Sequence, residues 1–352
     1  MERYSRHMVL DEVGPQGQQK LSLAKVLVVG AGGLGCPVLQ YLAASGIGSL
    51  GIIDFDVVET SNLQRQVLFG TQSLGMNKAL AAKERLLDLN PTITVVAYPE
   101  KLTSANILTI AKEYEIIVDG SDNFATRYLI NDAAVLLGLP VVYGSIYKFE
   151  GQVSVFNYQN GPSYRCLFPT PPKQDSVPNC SEVGVLGVLT GIIGTLQANE
   201  VLKIVLDLGT SLSGKLLCYN SKTNVFTQLT IPRIPAEIEK VKSDTLQENE
   251  EAVFCSNNSL EISAKNALEM KEVVFLDVRE PHERPKIQHP NAMHIPLREL
   301  EHHLQTIPSE KTIACFCQSG IRSITAVQLL QKNNISKCYS IQGGVFELTK
   351  VL

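Results

Sequence analysis

A chain of 352 residues is long for one compact domain and fits two or three. Hydrophobic residues make up 44% and charged residues 19%, which excludes wholesale disorder and collagen-like structure. The 31 Lys and Arg against 35 Asp and Glu leave a formal charge of -4, so no nucleic-acid partner is expected and basic residues must act singly. No apolar run is expected to approach the roughly 18 residues of a membrane span, and the start, MERYSRHMVL, lacks a signal-peptide core. The expectation is a cytoplasmic protein with no membrane partner. Eight cysteines are scattered without a C-x-x-C pair, so they read as thiols rather than as disulfides or zinc ligands.

In chain order, β-branched runs predict strands at KVLVVG (25–30), SLGIID (49–54), TVVAY (94–98), EIIVDG (115–120) and PVVYG (140–144). Helical stretches such as CPVLQYLAASG and MNKALAAKERLLDLN separate them, which gives the β-α-β rhythm of a parallel sheet apolar on both faces. GQVSVFN then alternates with period two, and a Pro-rich crossover runs from Gly161 to about Ser181. A helix near 186–206 and two strands, KLLCYN and NVFTQLTI, close the first unit. The charged segment EIEKVKSDTLQENEE reads as a linker. Beyond it VVFLDV, TIACFC and KCYSIQGG predict buried strands, with helices near 296–304 and 323–333.

Gly30-Ala31-Gly32-Gly33-Leu34-Gly35 follows a predicted strand and opens a helix, the context a phosphate-binding G-x-G-x-x-G requires. Asp54, at the end of the next strand, is placed for a ribose hydroxyl. These features fit NAD as well as ATP. Cations decide between them, because phosphoryl attack needs charge neutralised and hydride transfer does not. Arg65 and Lys78 fit that role. Met76, Leu80 and Leu87 predict an apolar stripe, with Lys78 about 200° from Leu80 and free to reach a ligand. Asp122, just beyond a strand's carboxyl end, is placed to hold Mg²⁺; the alternative is a helix cap.

Arg3-Tyr4-Ser5-Arg6, the glycine loop, Asp54-Phe55-Asp56, Ser61-Asn62-Leu63-Gln64-Arg65-Gln66, Lys78, Ser121-Asp122-Asn123 and Glu150-Gly151-Gln152-Val153 together resemble the MoeB/ThiF adenylyltransferases, relatives of ubiquitin-activating enzymes. The resemblance covers residues 1 to about 235. It implies that ATP and Mg²⁺ adenylate the terminal glycine of a ubiquitin-like sulfur-carrier protein ending in Gly-Gly. Gly30, Gly32, Gly33, Gly35, Asp54, Asn62, Arg65, Lys78, Asp122 and Asn123 would bind the nucleotide. In the implied homodimer, Arg6 would reach the partner subunit's phosphates. Many relatives carry two C-x-x-C pairs for zinc; here the first becomes Ser163-Tyr164-Arg165-Cys166 and the second is absent, so no zinc is expected.

Cys317-Gln318-Ser319-Gly320-Ile321-Arg322-Ser323 lies between a predicted strand and a helix, where backbone N–H groups and the helix dipole stabilise a thiolate. Its C-x4-R length resembles rhodanese, as do Leu276-Asp277-Val278-Arg279-Glu280, Ile295-Pro296-Leu297 and Gln342-Gly343-Gly344. The resemblance makes Cys317 a persulfide carrier, loaded from a persulfide or thiosulfate donor. Cys315 reads as core. Cys180, on the crossover, stands where relatives place a reactive cysteine.

The expected fold is α/β: a Rossmann-like adenylation domain with a mixed, largely parallel sheet over 1–236, a charged linker over 237–254, and a smaller α/β rhodanese domain over 255–352. The expected activity is adenylation of the carrier followed by sulfur transfer to a thiocarboxylate. The rivals are an NAD-dependent oxidoreductase with an accessory domain and a non-catalytic binder of a ubiquitin-like protein.

Overall fold

Strands with apolar residues at every position are buried on both faces, and here they pair into two separate sheets. The computed structural model describes residues 2–172, 184–244, 246, 260–270, 272–318, 320–333 and 335–351. They divide into two units, Met1–Phe254 and Cys255–Leu352.

The first unit contains β1 (Lys25–Val29), β2 (Ser49–Ile53), β3 (Thr94–Tyr98), β4 (Ile116–Asp119), β5 (Val141–Tyr147), β6 (Glu150–Phe156), β7 (Lys215–Asn220) and β8 (Val225–Thr230). Their spatial order is β3-β2-β1-β4-β5-β6-β7-β8. β1 to β5 are parallel, with Val28 paired to both Ile52 and Val118, and β6 to β8 continue antiparallel. The sheet is therefore mixed and largely parallel.

Period-two alternation sends Val26 and Val28 into one core and Leu27 and Val29 into another. The first core is roofed by helices Gly35–Ser45, Lys78–Leu89 and Gly187–Leu206, the second by Ile107–Ala111 and Phe124–Leu137. Contrary to the expectation, Gly187–Leu206 is long and apolar enough to cross a bilayer by length and composition, because its scattered polar residues do not outweigh its aliphatic ones. It packs as a core helix, with Leu189, Ile193, Ala198 and Val201 against the sheet.

The expected linker begins later than its charge suggests. Pro235–Ser243 is a helix, because Ile238 and Val241 fall three residues apart on one face and pack with Val135 and Cys166. Its charged residues form the outward face. Residues 247–254 of the expected linker lie outside the described residues.

In the second unit β9 (Glu261–Ile262), β10 (Val273–Asp277), β11 (Ala292–His294), β12 (Thr312–Phe316) and β13 (Cys338–Ile341) form a parallel sheet ordered β11-β10-β12-β13-β9. Two cores, one on each face, enclose it. β9 and β11 have two and three residues, too short to give a period in the sequence.

Candidate nucleotide and sulfur-transfer sites

The chain leaves β1 for β2 and β3 on one side and returns for β4 on the other, so the order reverses between β1 and β4. Open α/β sheets bind ligands in the crevice at such a switch point, beyond the strands' carboxyl ends. The glycine loop follows β1, Asp54 and Asp56 follow β2, and Ser121-Asp122-Asn123 follows β4. Topology thus brings these sequence-predicted residues to one edge.

The four loop glycines divide into two kinds. Gly30 has φ +89°, and a Cβ there would stand 2.9 Å from Gly120 O; a Cβ on Gly35 would stand only 1.9 Å from Gly30 O. These two exist for close packing of strand, loop and helix. Gly33 is crowded by Thr190 Cγ2 at 3.0 Å, whereas among the described residues a Cβ on Gly32 would meet nothing nearer than Gln66 Nε2 at 3.9 Å. Gly32 faces an open cradle, which is the space a phosphate requires. Gly35→Ala is therefore expected to cost several °C in melting temperature or prevent folding, while Gly32→Ala should fold normally and lose ATP affinity about tenfold or more. Thermal melts and nucleotide titration of the two proteins check this.

Asp54 is committed to the loop in this structure. Its Oδ2 accepts the Ala31 N–H at 2.8 Å and its Oδ1 the Asp56 N–H at 2.9 Å. Burial pushes its carboxyl up, and the charge of Lys78 opposes the shift.

Lys78 departs from the expected geometry. Leu80 is exposed and Met76 precedes the helix, so the Met76–Leu80–Leu87 stripe does not form; the buried positions are Lys78, Ala79, Ala81, Ala82 and Leu86. The cause is the N-cap. Asn77 accepts the N–H groups of Ala79 and Leu80, while its Nδ2 donates to the carbonyls of Asp54 and Asp56. This staples the helix start to the end of β2. Lys78 is 7% exposed and its Nζ binds Asp56 Oδ2 at 2.8 Å, so the cation is held at the site rather than free in solvent.

In the SNLQRQ segment Asn62 is buried, and its Oδ1 accepts the Glu59 N–H in a capping box. Arg65 is half-buried with Nη1 donating to Ser61 O at 3.1 Å. The first turn of Gly187–Leu206 presses on this segment: Thr190 Oγ1 donates to Arg65 O, and a Cβ on Gly187 would lie 2.4 Å from Gln64 O.

After β4, Asn123 is the helix cap, accepting the Thr126 N–H at 2.9 Å. The cap alternative for Asp122 is thereby removed: Asp122 is exposed and has no hydrogen bond or ion pair among the described residues. Behind it, buried Arg127 donates to Ser121 O and stacks on Tyr143. Gly32, Lys78, Arg65 and the unspent Asp122 carboxylate fit a magnesium nucleotide.

The second site lies between β12 and the helix Ile321–Lys332. Cys317 is 1% exposed and lies at the floor of the loop, where its Sγ accepts the Gly320 N–H at 3.2 Å and the Ser323 hydroxyl at 3.6 Å. Ser323 Oγ also lies 2.8 Å from Gly320 O, an alternative acceptor for its single proton, and 2.9 Å from Ser340 Oγ. Gly344 explains the late Gln-Gly-Gly: a Cβ there would collide with Cys317 O.

Two ion pairs frame the loop. Arg322 is held by Glu283 in a two-pronged pair, both contacts 2.7 Å, which pulls the Glu283 carboxyl down to about 2. Arg279, fully buried, grips Asp277 and reaches Gln318 Oε1. The Glu283 partner, 39 residues from Arg322, left no signal in the sequence. Cys315 and Cys338 are core thiols, with Cys338 pushed up by burial to about 11.

Cys180 and Ser319 lie outside the described residues. In the Ser163–Cys166 stretch, Cys166 Sγ accepts the N–H groups of Ser163 and Ile234 at 3.4 and 3.3 Å.

Residues 4–238 match the ThiF family, and residues 262–350 match the rhodanese-like domain. The chain belongs to the ThiF family and carries a rhodanese-like domain. Its ThiF unit is 54% identical over 240 residues to the sulfur carrier protein adenylyltransferase of Thermus thermophilus, covering 67% of this chain and 89% of that protein. Nearly the whole chain, 97%, aligns with 85% of the adenylyltransferase and sulfurtransferase MOCS3 of Xenopus laevis at 41% identity. Among solved structures it is similar to E. coli MccB with MccA-N7isoASN, with a TM-score of 0.60 and 26% identity over 66% of this chain and 72% of that one. The chain is an adenylyltransferase and sulfurtransferase, and the NAD and non-catalytic readings give way.

Proposed function

We propose that the ThiF unit adenylates the carboxyl-terminal glycine of a ubiquitin-like sulfur carrier and that Cys317 then delivers sulfur to it. A carrier carboxylate oxygen attacks the α-phosphorus of ATP, and pyrophosphate leaves with the electron pair of the broken P–O bond. Lys78 and Arg65 neutralise charge that grows on the phosphoryl oxygens. Asp122 would hold Mg²⁺, which would supply further charge neutralisation.

At the second site the Cys317 thiolate attacks the outer sulfur of a donor persulfide or of thiosulfate, forming an S–S bond and releasing a thiolate or sulfite. The resulting persulfide attacks the carrier's acyl carbon and AMP departs. A second thiolate, for which Cys180 is our candidate, attacks Cys317 Sγ, releases the carrier thiocarboxylate and leaves an enzyme disulfide for a reductant. The observation that carries this reading is one chain holding both an open glycine cradle flanked by Lys78 and a cysteine loop against a helix amino terminus.

A homodimer is part of the proposal. Val188 is 64% exposed on the first turn of Gly187–Leu206, and Val67 is 61% exposed in the segment adjoining that turn. Apolar side chains exposed together favour a protein partner. Arg6 is exposed without a partner among the described residues, as a residue acting in the other subunit requires, whereas Arg3 and Tyr4 are spent on Leu89 and Thr92. We place the enzyme in the cytoplasm.

The test mixes the protein with ATP, Mg²⁺, a sulfur donor and candidate Gly-Gly carriers, then weighs each carrier. The expected result is a gain of about 16 Da on one carrier, the replacement of oxygen by sulfur. A carrier that stays unmodified while ATP is consumed would overturn the sulfur step.

A further inference from the structure

Gln66 closes the SNLQRQ segment, yet nothing in the chemistry above uses its side chain. It is 3% exposed, and its backbone is fixed by Gln66 N–H donating to Asn62 O at 2.9 Å and Gln66 O accepting from Phe69 N–H at 3.1 Å. Its Oε1 is buried without a hydrogen-bond partner among the described residues. Its Nε2 makes no hydrogen bond among the described residues and is the nearest atom, at 3.9 Å, to the space above Gly32. A buried amide oxygen left without a donor costs the fold rather than helping it, and the other end of the same amide borders the open space at Gly32. The amide gains a use only when something fills the cradle.

We propose that Gln66 is a further nucleotide-binding residue, whose Nε2 donates a hydrogen bond to a phosphoryl oxygen lodged at Gly32. This rests on the adenylation reading and adds a neutral donor to the cations Lys78 and Arg65. The chemistry favours such a neighbour: Lys78 is already partly neutralised by Asp56, and an amide N–H can follow a phosphoryl oxygen without a counter-charge of its own. The backbone bonds of Gln66 fix its main chain and burial restricts its side chain before ligand arrives, which limits the ordering cost of binding.

Gln66→Leu removes the amide and keeps the volume. The expected result is an unliganded melting temperature equal to or above that of the parent protein, with ATP and AMP bound about tenfold more weakly in calorimetric titration. Adenosine, which lacks phosphate, should bind both proteins alike. A purely packing role gives the opposite split, with melting temperature moved and ATP affinity untouched, and that result overturns the proposal. Should the Leu variant fail to fold, Gln66→Asn decides: withdrawing the nitrogen by one methylene weakens ATP and not adenosine if the proposal holds, and changes neither if it does not. Failure of the parent protein to bind ATP would instead strike the adenylation reading.

Discussion

Cys317→Ala protein will exchange pyrophosphate into ATP at the parent rate and form no carrier thiocarboxylate. The nucleophile is lost outright, and removing a covalent catalyst costs at least about 10³-fold in turnover. Neither neighbour can replace it. Cys315 is wholly buried and its thiol is pushed well above the usual range by burial, while Cys338 donates its S–H to Ile335 O. Each therefore stays protonated, and neither has the loop N–H group and helix amino terminus that hold the Cys317 sulfur. The effect stays local because the rhodanese unit has its own two cores, sharing no residue with those of the ThiF unit. Exchange assays and carrier mass spectrometry on the same preparation separate the two activities. Full thiocarboxylate from the variant would assign sulfur delivery to some other thiol.

The parts of the molecule that local spacing controls could be read from the sequence. β1, the glycine loop and the following helix obey a short-range code, in which alternation buries Val26 to Val29 on two faces and the glycines mark where backbones meet. The same holds for Cys317, whose loop length and flanking strand are contiguous in the chain. What the sequence hid depends on contacts across long separations. Lys78 was expected to be free, but Asn77 and Asp56, the latter 22 residues earlier, draw it into the site. The clasp of Glu283 on Arg322 and the approach of Gly187 to Gln64 arise only once the sheets are assembled. The separate surroundings of Gly30, Gly32, Gly33 and Gly35 were invisible for the same reason: only the packed neighbours reveal which glycine meets protein and which borders open space.

The Lys78–Asp56 pair leads to the second large expected effect. Lys78→Ala should lower carrier-dependent pyrophosphate exchange about 10²–10³-fold, the usual consequence of deleting one charge contact to a developing phosphoryl anion. It should leave the melting temperature within a few degrees of the parent. The two halves of this expectation come from the asymmetric exposure of the pair: the side chain of Lys78 is 9% exposed and that of Asp56 is 50%. Removing the lysine leaves an Asp56 carboxylate that water already reaches, and Asp54, which also loses the nearby cation, keeps its two backbone N–H donors, so the fold loses little. The helix start does not depend on the ammonium either, because the Lys78 N–H and the Asn77 cap hold it to the Asp54–Asp56 segment through backbone contacts that Ala preserves. Asp56→Asn, which releases Lys78 while retaining it, should reduce exchange less than Lys78→Ala does. Parent-level exchange by Lys78→Ala with an unchanged KM for ATP would make the pair a structural brace and remove Lys78 from the phosphate site.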